Sequence, residues 1–218
     1  MKKVAVLVDA GYVLKNLYRL LKRSAATADD AYAFCLACVN KKDEDLLRIY
    51  YYDCPPYDKV VRHPITGERI DFAQSDTAKE RTALLNSLSV REKMACRFGT
   101  LRFRGWEPTL AGHQKLKRGQ KLEPTDLMPS FDQKQIDVKI GLDVAWLSGN
   151  RIVDKIILAT ADTDFTPAMK FARQSGVTIV LAKLRTATVH QELLEHSDEH
   201  RVVPFPPTGR GKDKKHDD

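Results

Sequence analysis

Two aspartates one residue apart, Asp162 and Asp164, follow directly on an apolar run, 156–161, with Phe165 and Pro167 just beyond them. Asp9 closes a second apolar run, 3–8, with Gly11 in the turn after it. Asp137 opens the segment IDVKIGLDVAWL, which also holds Asp143. Carboxylates gathered in one place repel and raise each other's pKa, so such a group is normally held by a cation. Oxygen donors without His or Cys select hard ions, here Mg²⁺ or Mn²⁺. An ion of that kind lowers the pKa of bound water and neutralises charge developing on a phosphate. The chemistry expected is therefore phosphodiester hydrolysis, with Asp9, Asp137, Asp162 and Asp164 as catalytic and metal-holding residues. Asp143 stands about 9 Å from Asp137 along a helix axis, too far to share one ion directly. It is expected to support the set from behind, as is Thr160. Each aspartate also has a plainer explanation, since an Asp after a strand is often a helix N-cap. Their conjunction at equivalent places is the stronger signal.

Those residues need a frame that delivers carboxylates to one end. Apolar strand patterns at 3–8, 46–52, 155–161 and 177–184, with a last one at 201–205, alternate with helical patterns. The helical patterns cover about 12–22, 29–39, 75–93, 136–149, 168–174 and 188–195. Strands alternating with helices predict a parallel, doubly wound α/β sheet, whose ligands sit beyond the carboxyl ends of the strands. On the 136–149 helix, Ile136, Ile140, Val144 and Leu147 form the core stripe. Asp143 falls inside that stripe, so it needs a partner: a metal, a Lys or Arg, or backbone amides. Residues 53–74 read as an irregular excursion, 100–106 as an exposed or edge strand, and 110–132 as a basic loop or hairpin.

The 218 residues fit a single domain at 1–205, with a basic insertion at about 53–132 and a disordered charged tail at 206–218. No apolar run reaches membrane-spanning length and the N-terminus enters a strand directly, so a cytoplasmic protein without a membrane partner is expected. The cysteines Cys35, Cys38, Cys54 and Cys96 suit buried small hydrophobes better than a zinc site or a disulfide framework. Net charge is +7. Between 97 and 121 stand Arg97, Arg102, Arg104, Lys115, Lys117, Arg118 and Lys121, opposed only by Glu107. Clustered cations are the footprint of a polyanion binder, and these seven are the nucleic-acid-binding candidates. Tyr50, Tyr51, Tyr52 and Trp106 could stack bases, although tyrosines in a buried strand are more often core.

VAVLVDAGYV at 4–13, KQIDVKIGLDVAWL at 134–147 and ILATADTDFTPAMKFARQSGVTIVL at 157–181 resemble NYN domains of the LabA-like group, relatives of PIN-domain nucleases. YYYDCPP at 50–56 and GTLRFRGW at 99–106 are similar to that group's second and third strand regions. The resemblance implies a three-layer α/β/α PIN-like fold with a mostly parallel central sheet. It also implies a metal-dependent ribonuclease site at Asp9, Asp137, Asp162 and Asp164, with Asp143 at a further acidic position. Two departures stand out: Gly11 and Tyr12 where many NYN domains carry Asn, and Ala161-Asp162-Thr163-Asp164 in place of Gly-Asp-Ser-Asp. Neither removes a carboxylate. The leading expectation is a Mg²⁺ or Mn²⁺ endoribonuclease with RNA as partner and DNA left open. A catalytically inactive RNA-binding or adaptor protein of the same fold is the alternative. A small-ester phosphohydrolase ranks last, because Gly11 stands where a phosphoaspartate mechanism favours a second Asp. A homodimer is one possible assembly.

Overall fold

The protein is described by a computed structural model covering residues 1–22 and 26–205. In chain order its elements are β1 (Lys2–Asp9), α1 (Ala10–Leu21), α2 (Ala28–Ala37), β2 (Glu44–Asp53), β3 (Val60–Arg62), β4 (Arg69–Asp71) and α3 (Asp76–Ser89). There follow β5 (Met94–Phe98), β6 (Thr100–Pro108), α4 (Leu110–Lys117), β7 (Leu127–Lys134) and α5 (Ile136–Gly149). The last are β8 (Lys155–Ala159), α6 (Thr166–Gln174), β9 (Thr178–Leu184), α7 (Gln191–Glu195) and β10 (Glu199–Val203). Two compact units result. The first holds Met1–Asp53, Leu84–Phe98 and the described part of Ile136–Asp218; the second holds Cys54–Ala83 and Gly99–Gln135. The segment 84–98 therefore belongs to the first unit, and the second is not one unbroken stretch of chain. The tail expected at 206–218 lies outside the described residues.

The first unit is built on a six-stranded sheet in the order β10-β9-β8-β1-β2-β5, parallel throughout. This is the parallel α/β sheet that the strand and helix patterns predict. Val4–Val8 of β1 are wholly buried, as their unbroken apolar run requires of a central strand covered on both faces. Alternate residues turn to opposite faces. Val4, Val6, Val8, Ile49, Tyr51, Ile157 and Val180 pack with Val13, Leu17, Phe34 and Leu88 of α1, α2 and α3. On the other face lie α5 and α6, which bury Ile136, Ile140, Val144, Leu147, Met169 and Ala172. Cys35 and Cys38 are buried free thiols; burial pushes Cys35 up to about 12 and Cys38 well above its ordinary value, as suits small hydrophobic core residues.

Four strands went unread in the sequence, the three-residue β3 and β4 within 53–74 and the longer β5 and β7. β5 is an edge strand whose residues are only half-buried, so it lacks the apolar run that marks β1. β7 carries Pro129 and mostly polar side chains, yet pairs antiparallel with β6 in a two-stranded ribbon. Pro is tolerated there because each strand of such a ribbon is an edge. The second unit also contains the β3–β4 hairpin and α4. Tyr57, Phe72, Phe103 and Phe131 form its small core, with ring centroids 5.4–6.2 Å apart. Gly112 of α4 is obligatory, since a Cβ there would stand 2.5 Å from the Asp126 carbonyl oxygen.

At the amino-terminal end of the large sheet, Glu44 begins β2 with its side chain almost fully buried. Arg201 of β10 donates to both its carboxylate oxygens, at 2.8 and 2.9 Å, and Lys155 of β8 lies 3.5 Å away. Burial alone would raise the Glu44 pKa. Arg201, the Asn40 amide and Lys155 outweigh it, and the carboxyl sits below its ordinary value. A carboxyl with a lowered folded pKa contributes stability above its unfolded pKa, and that contribution is lost as pH falls through the folded value. Glu44→Gln should therefore cost on the order of 2–3 kcal/mol at neutral pH, less than a fully buried pair because Arg201 keeps some water contact. In urea denaturation the deficit should shrink as pH drops through the carboxylate range.

Candidate functional site

β1 is the strand at which the chain reverses direction across the sheet: β2 and β5 lie on one side, β8, β9 and β10 on the other. Because all six strands are parallel, their carboxyl ends share one edge. The register runs Val8↔Ala159 between β1 and β8, so the residues that follow, Asp9 and Thr160, are neighbours. On the other side Asp9 is paired with Tyr52 of β2. The outer side of this switch point is where α/β sheets bind ligands.

β8 ends two residues earlier than its apolar run suggests, and the reason is Thr160. Its wholly buried side chain donates to Asp9 Oδ2 at 3.2 Å and accepts from the Asp162 amide at 3.1 Å, tying the two strand ends together. Asp9 is also the N-cap of α1, its Oδ1 accepting from the Tyr12 amide at 3.3 Å. Asp162 caps the short 3-10 turn Thr163–Phe165, accepting from the Asp164 amide at 2.9 Å. Both aspartates are thus helix caps, and both stand at the carboxyl ends of the strands. Asp137 lies exposed in the first turn of α5, a helix packed against that 3-10 turn.

The charges of these aspartates act on one another. Burial is the main force raising the Asp9 pKa, with the charge of Asp162 adding to it against the opposing hydrogen bonds of Tyr12, Thr160 and Gly11. Asp137 is raised by desolvation first, then by Asp162 and Asp164. Burial pushes the Tyr12 hydroxyl up to about 12, helped by Asp9, and that hydroxyl is buried with no hydrogen-bond partner among the described residues. Among the described residues no three His, Cys, Asp or Glu side chains stand close enough to hold one metal ion. The four aspartates share an electrostatic neighbourhood without forming a closed cage. That donor set still fits a hard cation, because Mg²⁺ keeps several waters and is commonly held by one or two carboxylates.

Asp143 does not join them. Its Oδ2 accepts from the Tyr52 hydroxyl at 2.7 Å and from Arg97 Nε at 3.1 Å. Arg97, expected among the polyanion contacts, is held by this pair, and its guanidinium carbon lies 5.1 Å over the Tyr50 ring. The stripe position of Asp143 demanded a partner; the identity of that partner was hidden because Arg97 sits on β5, a strand without a clear pattern. In the second unit, Arg104 pairs with Asp132 at 3.1 Å, and Lys115 with Glu123 and Asp126, both at 2.8 Å. Arg102, Lys117, Arg118 and Lys121 are exposed and make no ion pair among the described residues.

Residues 67–203 match the NYN domain family, and the chain belongs to it. The family lies within the PIN-like nuclease superfamily. The matched span includes Asp137, Asp143, Asp162 and Asp164, while Asp9 precedes it. Among solved structures, a Vibrio parahaemolyticus protein of unknown function is similar in fold, with a TM-score of 0.52, 14% identity and 94% of each chain covered. None of the curated proteins matches. No helix among the described residues is long and apolar enough to cross a membrane.

A carboxyl whose folded pKa is raised keeps its proton longer in the folded state, so its ionisation opposes folding. The penalty is absent below the unfolded pKa and fully present above the folded one. Asn caps a helix about as well as Asp. Asp9→Asn should thus raise the Tm of the metal-free protein at neutral pH, with the gain fading as pH falls into the carboxylate range. Differential scanning calorimetry across pH checks it.

Proposed function

We propose that this chain is a metal-dependent nuclease of the LabA-like group, an endoribonuclease that hydrolyses RNA in the cytoplasm with Mg²⁺ or Mn²⁺ held by Asp9, Asp137, Asp162 and Asp164. The observation that supports it most is that Asp9 and Asp162 stand at the adjoining carboxyl ends of β1 and β8, joined through Thr160 where the sheet switches direction, so that the charge of Asp162 repels both Asp9 and Asp137. A divalent cation there would offset that repulsion, acidify bound water and neutralise charge on the phosphate. The chain's own residues prepare the place. Thr160 and the Tyr12 amide fix the orientation of the Asp9 carboxylate, and the Asp164 amide fixes that of Asp162. Arg97, immobilised by Asp143 and Tyr50, offers its two terminal nitrogens to a phosphate oxygen. One observation favours the alternative, RNA binding without cleavage: among the described residues no three ligating side chains are gathered in advance.

Incubation of the whole chain with end-labelled RNA and Mn²⁺ separates the two. Internal cleavage that Asp162→Asn reduces by roughly a hundredfold or more, and that EDTA abolishes, supports the nuclease. Absent or equal cleavage in both proteins, with RNA binding retained, supports the alternative. Contacts from the second unit have their own test. Replacing Lys117, Arg118 and Lys121 together with Ala should weaken single-stranded RNA binding. It should also flatten the dependence of log K on log salt by about 2, since each phosphate contact contributes about 0.7.

A further inference from the structure

The outer face of α5 is apolar and uncovered. Val138, Leu142 and Trp146 keep 65%, 64% and 55% of their surface exposed, and Phe171 of the adjoining α6 keeps 44%. The first three are spaced by four residues and form one ridge along the helix. Beside that ridge run Gly141, Ala145 and Gly149, also spaced by four. A Cβ on Gly141 would meet nothing within 4 Å, so this second row is an open, shallow groove. At Gly149 the groove is bordered by the Phe171 ring, 3.8 Å from where a Cβ would lie. One helix face thus carries both a ridge of large residues and the groove that would receive such a ridge.

We propose that this face of α5 is a homodimer interface, in which the Val138-Leu142-Trp146 ridge of each copy enters the Gly141-Ala145-Gly149 groove of the other. A two-fold interface must be self-complementary, and a ridge beside a matching groove satisfies that condition within one patch. Interlocking rows of four-residue spacing is the commonest way that helices pack, with axes crossing near −50°. Charge agrees with shape. The charged side chains of α5 are Asp137, Lys139 and Asp143, none of which lies within the patch. Asp137 flanks it on one edge and Lys139 on the other. When two such helices pair in parallel about a two-fold axis, the Asp137 edge of each copy faces the Lys139 edge of its partner. The ridge and Phe171 expose roughly 400 Å² of apolar side chain, within the ~300–600 Å² of the largest patch on a typical monomer, which is often functional. That is about half of the ~800 Å² each partner buries in a stable dimer, a usual share for the apolar centre within a polar rim.

Sedimentation equilibrium of the whole chain over a concentration series tests this, with circular dichroism to confirm folding of each variant. The wild type should dimerise, and Leu142→Lys should weaken association roughly tenfold or more. Gly141→Leu is the sharper variant. It adds apolar surface and removes a helix-weakening glycine, so a merely adhesive patch would associate more strongly. A ridge-in-groove dimer instead loses its groove and should dissociate. A wild type that stays monomeric throughout overturns the proposal, and so does a dimer that persists or tightens in either variant.

Discussion

The parallel pairing of β1 with β8 sets two carboxylate-bearing strand ends side by side at the point where the sheet reverses its winding. Everything at the candidate site follows from that adjacency. Thr160 bridges the two ends, accepting the Asp162 amide while donating to Asp9, and so fixes both without introducing a positive charge. A lysine or arginine in its place would have neutralised Asp9 and made a structural ion pair. A neutral hydroxyl leaves the repulsion between the carboxylates unanswered, and α5 adds Asp137 to it.

The contrast with the other ionic groups of the first unit is informative. Glu44 is buried as deeply as any carboxylate, yet its pKa is lowered, because Arg201 and Lys155 face it. Asp143 is likewise answered, by Arg97 and Tyr52. The charges that raise Asp9 and Asp137, beyond burial, are those of other aspartates. One fold therefore holds two kinds of acidic residue: those paired for stability, and those left in mutual opposition at the sheet's carboxyl edge.

The sequence was most legible where burial is greatest. β1, β8 and β9 read as continuous apolar runs because helices cover both their faces, and from them the parallel sheet followed. The end-of-strand positions of Asp9 and Asp162 were equally plain, since an aspartate closing a buried run breaks its pattern. β5 and β7 were not legible, one being a half-buried edge and the other a Pro-containing ribbon strand. Losing β5 also hid the Arg97–Asp143 pair. On α5 the inner stripe Ile136-Ile140-Val144-Leu147 satisfies the helical period by itself, which leaves the outer row of Val138, Leu142 and Trp146 unaccounted for in the pattern. A helix apolar on two sides declares that something covers its second side, but only the structure shows which side stands open.

The claim on which the account rests is that a hard cation relieves the opposition between Asp9, Asp137, Asp162 and Asp164. Anomalous scattering from crystals of the protein soaked in Mn²⁺ tests it most directly. The account predicts a peak beyond the carboxyl ends of β1 and β8, coordinated by oxygens of at least two of these aspartates. No peak there at saturating Mn²⁺, with the four carboxylates apart and unchanged, would contradict it.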